Sequence, residues 1–227
     1  MEFITPIFKW IHIIAGVLWI GLLYFFNWIN GHVAATMDGD TKKKVVPELM
    51  PRALYFFRWG AAWTWVTGMV LLLLVYWMQM NDSMFRELGI GEEASKFKHV
   101  AYLIPFIMVF VYDAFYKSSL AKNTRVATIT SFMGIAGVLC LLICVSQMTS
   151  YRAYNIHLGT MFGSMMAFNV WYRIWPAQQR IITAIKNGDA PNPADAGMAG
   201  LRSKHNTYMS VPLIWTMINE QDRKSVV

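Results

Sequence analysis

The chain has 227 residues, of which 56% are hydrophobic and 15% charged, with a formal net charge of +7. A soluble domain carries about 25% charged residues, so the composition excludes an ordinary water-soluble globule and points to a lipid bilayer as the main partner. A basic balance can mark nucleic-acid binding, but in a chain this apolar it reads as basic loops on one side of a membrane, and no nucleic-acid partner is expected.

Ten Trp, ten Tyr and fourteen Phe suit the aromatic belts at the two faces of a bilayer. The only two cysteines, Cys140 and Cys144, lie one helical turn apart inside an apolar run and are expected to be inert thiols. No CxxC or CxxCH is present, so neither a covalent c-type haem nor a cysteine zinc site is expected. The first apolar stretch is too long for a signal peptide and lacks a basic leader and a small-residue cleavage site, so it is expected to stay as a membrane helix.

The predicted fold class is all-α, an integral membrane bundle of about five transmembrane helices with an interfacial C-terminal helix. Span one covers about Thr5–Asn30, with Trp10 and Trp28 as interface anchors and Gly16 and Gly21 as flat spots for a neighbouring helix. A polar loop follows at Gly31–Arg52, in which Pro47 and Pro51 are expected to break helix. Span two covers about Tyr55–Met80, and a charged loop Asn81–Lys98 leads to span three, about Phe97–Lys117, with Pro105 as an expected kink. Asp113 and Lys117 are spaced for an i,i+4 ion pair. Span four is about Val126–Met148, and a tight turn at Thr149–Arg152 leads to span five, about Ala153–Trp175, with the small-residue face Gly159-x-x-x-Gly163. The boundary between the transmembrane bundle, 1–176, and the cytoplasmic or interfacial remainder, 177–227, is set after Pro176. That remainder reads as an amphipathic helix ending at Gly188, a linker PNPADAGMAG, and a short apolar run Tyr208–Ile218 that is too short to span.

If five spans alternate, Lys42–Lys44, Arg52, Lys117, Lys122, Arg125, Arg173, Arg180, Lys186, Arg202 and Lys204 share one side. The positive-inside rule then places the N-terminus in the periplasm and the C-terminus in the cytoplasm of a bacterial inner membrane. Counted from the inner ends of their spans, His12 precedes Trp28 by 16 residues, and His99 precedes Lys117, and His157 precedes Trp175, by 18. At about 1.5 Å per residue these depths agree within about 3 Å. Three histidines from three helices are thus expected at one level of the outer leaflet, whereas His32 and His205 lie at the inner side.

Ionisable groups inside spans usually face the bundle interior and often mark function. A b-type haem needs neutral imidazoles from facing helices, small residues to admit the ring, and cations near its propionates. Here His12 and His157 are the first-choice axial pair, His99 is the substitute, and Lys9 and Arg152 (with Lys98) are the expected propionate partners. A plainer reading makes each histidine an interfacial or hydrogen-bonded residue, and a zinc or copper site from the same three is a further alternative. A second polar group, Arg58, Asp113, Asn169 and Arg173, falls just inside the cytoplasmic face and reads as structural ion pairing that fixes helix register.

The motifs KWIHIIAGVLWIG, VYDAFYKSSL, RAYNIHLGTMFGSMMAFNVWYRIWPAQQR and RSKHNTYMSVPLIWTMIN together resemble the membrane domain of the PuuD-type bacterial urate oxidases, the urate oxidase N-terminal domain family. Span one also resembles that of HemJ-type membrane haem proteins, a likeness that implies His12 as a haem ligand. The family resemblance carries over His12, Asp113, His157, Asn169, and His205 with Asn206 and Tyr208; His99 falls on none of its motifs. Members of that family continue to a C-terminal cytochrome c domain. These residues contain no CxxCH, so the expected electron acceptor is a separate cytochrome c or another redox subunit. The expected function is a haem b subunit of a membrane redox complex, exchanging electrons with cytochrome c or quinone. The alternatives are a urate or purine oxidase subunit and a non-catalytic accessory subunit.

Overall fold

The computed structural model of the protein describes residues 3–78, 100–148 and 150–219. Those residues are helical almost throughout, and they include three helices long and apolar enough to cross a membrane: Ile4–Thr36, Gly39–Trp77 and Thr124–Val145. The helical stretches are α1 (Ile4–Tyr24), α2 (Gly31–Thr36), α3 (Gly39–Leu71), α4 (Val100–Lys117), α5 (Thr124–Cys140), α6 (Tyr151–Asn169), α7 (Trp175–Asn187) and α8 (Pro193–Ile218). Wider π-helical turns extend four of them, at Phe25–Asn30 after α1, Leu72–Trp77 after α3, Leu141–Val145 after α5 and Val170–Ile174 after α6.

The chain forms two compact units, Met1–Leu74 with Met166–Val211, and Val75–Met165 with Pro212–Val227. In the first, α1 lies antiparallel to α3. The backbone of Trp19 comes within 3.3 Å of where a side chain on Gly60 would begin, so a larger residue there would have to push α1 back by a few tenths of an ångström. Thr64 faces Gly16 at 3.8 Å, whereas Gly21 has no neighbour within 4 Å and is not a contact point. Trp19, Leu23, Leu54, Phe57 and Ala61 fill the seam and are buried. Close packing of this kind, rather than exclusion of water, is what holds helices together where the surround is itself apolar.

α3 departs from the expected polar loop. It starts at Gly39, where Asp38 caps it by accepting from the backbone N–H groups of Asp40 and Thr41, and it runs through Pro47 and Pro51. Each proline removes one backbone donor. Their four-residue spacing confines both losses to one face of a 33-residue helix, and the helix survives them.

α7 ends as expected on Gly188, whose φ of 85° is the left-handed cap that glycine adopts without strain. The linker is only Asp189–Asn192, because Pro193 opens α8, one helix of 26 residues that absorbs both ADAGMAG and the apolar run. Proline at a helix start costs nothing, since that N–H has no intrahelical acceptor. Within this unit α8 runs antiparallel to α1. Tyr24 hydroxyl bonds Ser210 Oγ at 2.9 Å, and Asn27 Nδ2 donates to Ser203 Oγ at 2.8 Å. Arg180 on α7 grips Asp195 on α8 through Nε at 2.9 Å and Nη2 at 2.6 Å.

In the second unit, α4 and α5 are joined by a Tyr116–Ser131 hydrogen bond of 2.9 Å, and the expected Asp113–Lys117 pair forms at 2.8 Å. The end of α8 docks on α6. Leu213 lies 3.8 Å from the position of a Gly163 side chain, and Thr216 presses on Gly159 closely enough to leave no room for a Cβ. Asn155 Nδ2 donates at 3.1 Å to the Thr216 carbonyl, one of the acceptors that a helix end leaves without an intrahelical donor. The Gly159-x-x-x-Gly163 face is thus a helix-docking face, and its partner is this chain's own C-terminal apolar run.

Candidate functional site

His12 projects from α1 onto α3. Its Nδ1 lies 2.8 Å from the Thr64 carbonyl oxygen and 3.2 Å from Thr67 Oγ1. A carbonyl only accepts, so Nδ1 carries the proton and Nε2 carries the lone pair. Thr67 spends its own proton on the Trp63 carbonyl at 2.6 Å, which leaves its oxygen able to accept from His12. The Thr64 carbonyl already belongs to the α3 ladder, and Gly68 is the residue one turn on. A Cβ on Gly68 would stand 2.9 Å from His12 Cε1, so the missing side chain is what lets the ring reach the carbonyl. Among the described residues His12 Nε2 has no hydrogen-bond partner.

His157, on α6, is fully buried. Its Nδ1 donates to the Ala153 carbonyl of its own helix at 2.7 Å, and its Nε2 accepts from the Trp77 indole N–H at 3.2 Å. Both ring nitrogens are therefore engaged. Around it stand Trp77 (interplanar angle 28°), Tyr76 edge-on at 6.4 Å between centroids, and Tyr102 at 6.0 Å. Arg152 Nε donates to the Tyr76 hydroxyl at 3.0 Å, with its guanidinium 5.6 Å from the Tyr76 ring centre. Trp77 belongs to the π-helical turn Leu72–Trp77; such turns are frequent at functional positions.

The other expected residues have distinct surroundings. Lys9 is exposed on α1, and His99 lies outside the described residues. Asn169 and Asn206 are buried together, Asn169 Nδ2 donating to Asn206 Oδ1 at 2.8 Å and Asn206 Nδ2 to the Met166 carbonyl at 3.0 Å. Arg173 lies over the Phe168 ring at 5.6 Å. Arg58 stacks 4.0 Å above Trp175. Asp113 is held by the i,i+4 ion pair with Lys117 read from the spacing. His32 is exposed on α2. His205, on α8 outside the expected spans, is pushed down to about 4 by burial and by the nearby Arg202 charge, so it is neutral at physiological pH.

Thr64, Thr67, Gly68 and Trp77 are the partners that reading the sequence did not find. A glycine in an otherwise bulky apolar stretch, one turn beyond a threonine, was the available signal for the first three. Nothing in the sequence pairs Trp77 with His157. Among the described residues no three His, Cys, Asp or Glu side chains converge; the zinc or copper alternative draws on His99 as well, which lies outside them.

These residues define an all-helical protein with three membrane-capable helices and two internal histidines, each held in a fixed tautomer by its own helix or a neighbouring one. The chain belongs to the urate oxidase N-terminal family, whose model matches residues 36–222. The match takes in His157, Asp113, Asn169 and the His205–Tyr208 stretch, and it begins beyond His12. No curated protein and no solved structure matches the chain.

Proposed function

We propose that the protein is a multi-span membrane subunit that binds b-type haem through His12 Nε2 and takes part in electron transfer. One observation carries this reading. The His12 Nδ1–H is locked on a backbone carbonyl and a threonine hydroxyl, in a space that Gly68 keeps clear, and Nε2 is left as an available lone pair. A hydrogen bond from Nδ1–H to a fixed acceptor orients an imidazole ligand and strengthens its Nε2 as a donor to metal. When bound, haem supplies one-electron redox chemistry. The chain's own part is to present a neutral imidazole in one orientation and to keep the surround apolar. His157 is the second candidate ligand, and its use requires the Trp77 indole to withdraw from Nε2. Arg152 remains the candidate propionate partner in that unit, at present engaged by Tyr76.

The membrane reading extends to five spans, with α4 and α6 added to the three long apolar helices, and to an N-out, C-in orientation in a bacterial inner membrane, supported by the distribution of Lys and Arg. Absorption spectroscopy of the purified protein tests the haem. The expected result is a reduced α-band of the b type that is absent from His12→Ala while helical content is unchanged. A folded, haem-free wild-type preparation, expressed with haem in excess, sinks the proposal. Family membership favours a second reading, oxidation of urate with electrons passed to a separate cytochrome c. Urate-dependent reduction of added cytochrome c supports it, and no reduction by the haem-loaded protein removes it.

A further inference from the structure

Arg58 presents a charge problem that the rest of its unit does not solve. Its guanidinium stacks on Trp175 at 4.0 Å and lies 5.7 and 5.8 Å from the Tyr55 and Trp171 rings. The Trp171 indole N–H donates to the Arg58 carbonyl at 3.1 Å, and Trp171 packs edge-on against Trp59, so the aromatic surround is fixed to the helix that carries the cation. The Arg58 Nε is buried with no hydrogen-bond partner. No carboxylate among the described residues pairs with it. In its unit Glu48 is held by Arg52 and Asp195 by Arg180, and Asp38 caps α3. Asp40 begins α3, roughly 27 Å along the axis at about 1.5 Å per residue. Asp189 lies past the far end of α7 from Trp175, roughly 20 Å away by the same measure.

A guanidinium N–H buried without an acceptor is costly; in Arg58, which is half-buried, this holds for Nε, while the Nη groups lie toward the surface. Stacking uses only its faces and leaves its in-plane N–H groups directed outward, the geometry that grips a phosphate or carboxylate with two parallel bonds. Arg180 shows the same fork satisfied by Asp195; Arg58 has no such partner. Tyr55 beside it and Trp59 next to it in the chain are exposed, as is Tyr172, which follows Trp171, and aromatic rings of this amphipathic kind collect at the headgroup level of a bilayer. The unit also carries Lys42–Lys44, Arg52, Arg173 and Lys186, basic residues of the kind that attract anionic lipid.

We propose that Arg58, stacked on Trp175, is a binding site for the phosphate of an anionic phospholipid. The site rests on the membrane reading but not on the haem. Recovery of the protein in the detergent-extracted membrane fraction checks that reading separately. The test is native mass spectrometry of the protein released from neutral detergent, with thermal unfolding in parallel, after adding phosphatidylglycerol, phosphatidylcholine or inorganic phosphate. The expected result is a retained phosphatidylglycerol adduct and a raised unfolding midpoint, neither matched by phosphatidylcholine or inorganic phosphate. Both are lost in Arg58→Gln and kept in Arg180→Gln. If Arg58→Gln does not fold, Arg58→Lys keeps a cation on Trp175 but loses the fork, and it is expected to fold and to lose most of the adduct. Equal retention of the two lipids, an undiminished adduct in the Arg58 variants, or an equal shift with inorganic phosphate overturns the assignment; the last would make it a site for soluble anions.

Discussion

Gly68→Ala isolates the contact on which the haem proposal turns. The new Cβ stands 2.9 Å from His12 Cε1 and 3.3 Å from Nδ1. Carbon atoms rest at about 3.5–4.0 Å, so the ring withdraws by roughly 0.6–1 Å. The Nδ1–H bond to the Thr64 carbonyl, 2.8 Å in the wild type, then stretches beyond about 3.2 Å and its angle opens. The net loss from one such bond is about 1 kcal/mol. Alanine in place of glycine in a helix interior returns about 1 kcal/mol. The two offset, so the unfolding midpoint is expected to stay close to wild type. The imidazole, however, loses its fixed orientation, and losing an outer partner of a metal-bound histidine weakens metal binding by about 10–100-fold. The assay is haem retained per protein after size-exclusion chromatography, together with haem titration of the stripped protein. A Gly68→Ala protein that binds haem as tightly as wild type, with an unshifted spectrum, refutes the link between Gly68, the Thr64 carbonyl and a ligating His12.

Gly159→Ala places a methyl group into Thr216 and 3.3 Å from Met217 Cε; overpacking of this kind costs about 1–3 kcal/mol, read as a lowered thermal midpoint, and Thr216→Ala in the same protein is expected to recover part of it. Asn206→Ala leaves the buried Asn169 amide and the Met166 carbonyl short of a partner, a loss of about 1–3 kcal/mol that a denaturation midpoint measures. Arg180 holds the Asp195 carboxyl below its ordinary value, so the pair contributes at neutral pH and its contribution disappears as acid protonates Asp195, below about pH 4. Asp195→Asn is therefore expected to be slightly less stable than wild type at pH 7 and to approach it as the pH falls below about 4, with the difference reduced by salt. In Trp77→Phe, His157 Nε2 loses its donor; if haem uses His157, this variant retains at least as much haem as wild type, whereas a drop in bound haem assigns Trp77 a supporting role instead.

The helix cores were legible because apolar runs of span length leave few choices. Span five, read as Ala153–Trp175, is observed as α6 with its π-helical extension to Ile174, and Gly188 ends α7 as the sequence indicates. Helix ends were less legible. Pro47 and Pro51 read as breakers because the usual preference is local, yet a capped helix tolerates two losses on one face. The linker was overextended because small residues such as ADAGMAG lack the apolar period that marks a buried helix, although Ala, Met and Asp suit the opening turns of α8. In the candidate site, the positions of His12 and His157 within their helices follow from counting. Their hydrogen-bond partners do not. Two of the three protein acceptors of the histidine N–H groups, on Thr64 and Ala153, are backbone carbonyls, which every residue possesses and no sequence pattern distinguishes. Charge alone reads Arg58 as an ion-pair member, and no sequence pattern signals the indole face of Trp175 on which its guanidinium lies.

The π-helical turn at Leu72–Trp77 stores one spare residue in its helix. An α-helix advances about 100° per residue, and a π turn holds one residue more than the α pitch allows. The extra residue is taken up without turning what lies beyond it, so removing a single residue from Leu72–Val75 would let the helix relax to its ordinary pitch and leave the Trp77 indole near its angular position on the helix. The segment therefore behaves like slack in a cord: a one-residue deletion within it is expected to keep the indole on His157, whereas the same deletion in the α-helical stretch before it, which has no residue to spare, would turn the indole away by about 100°.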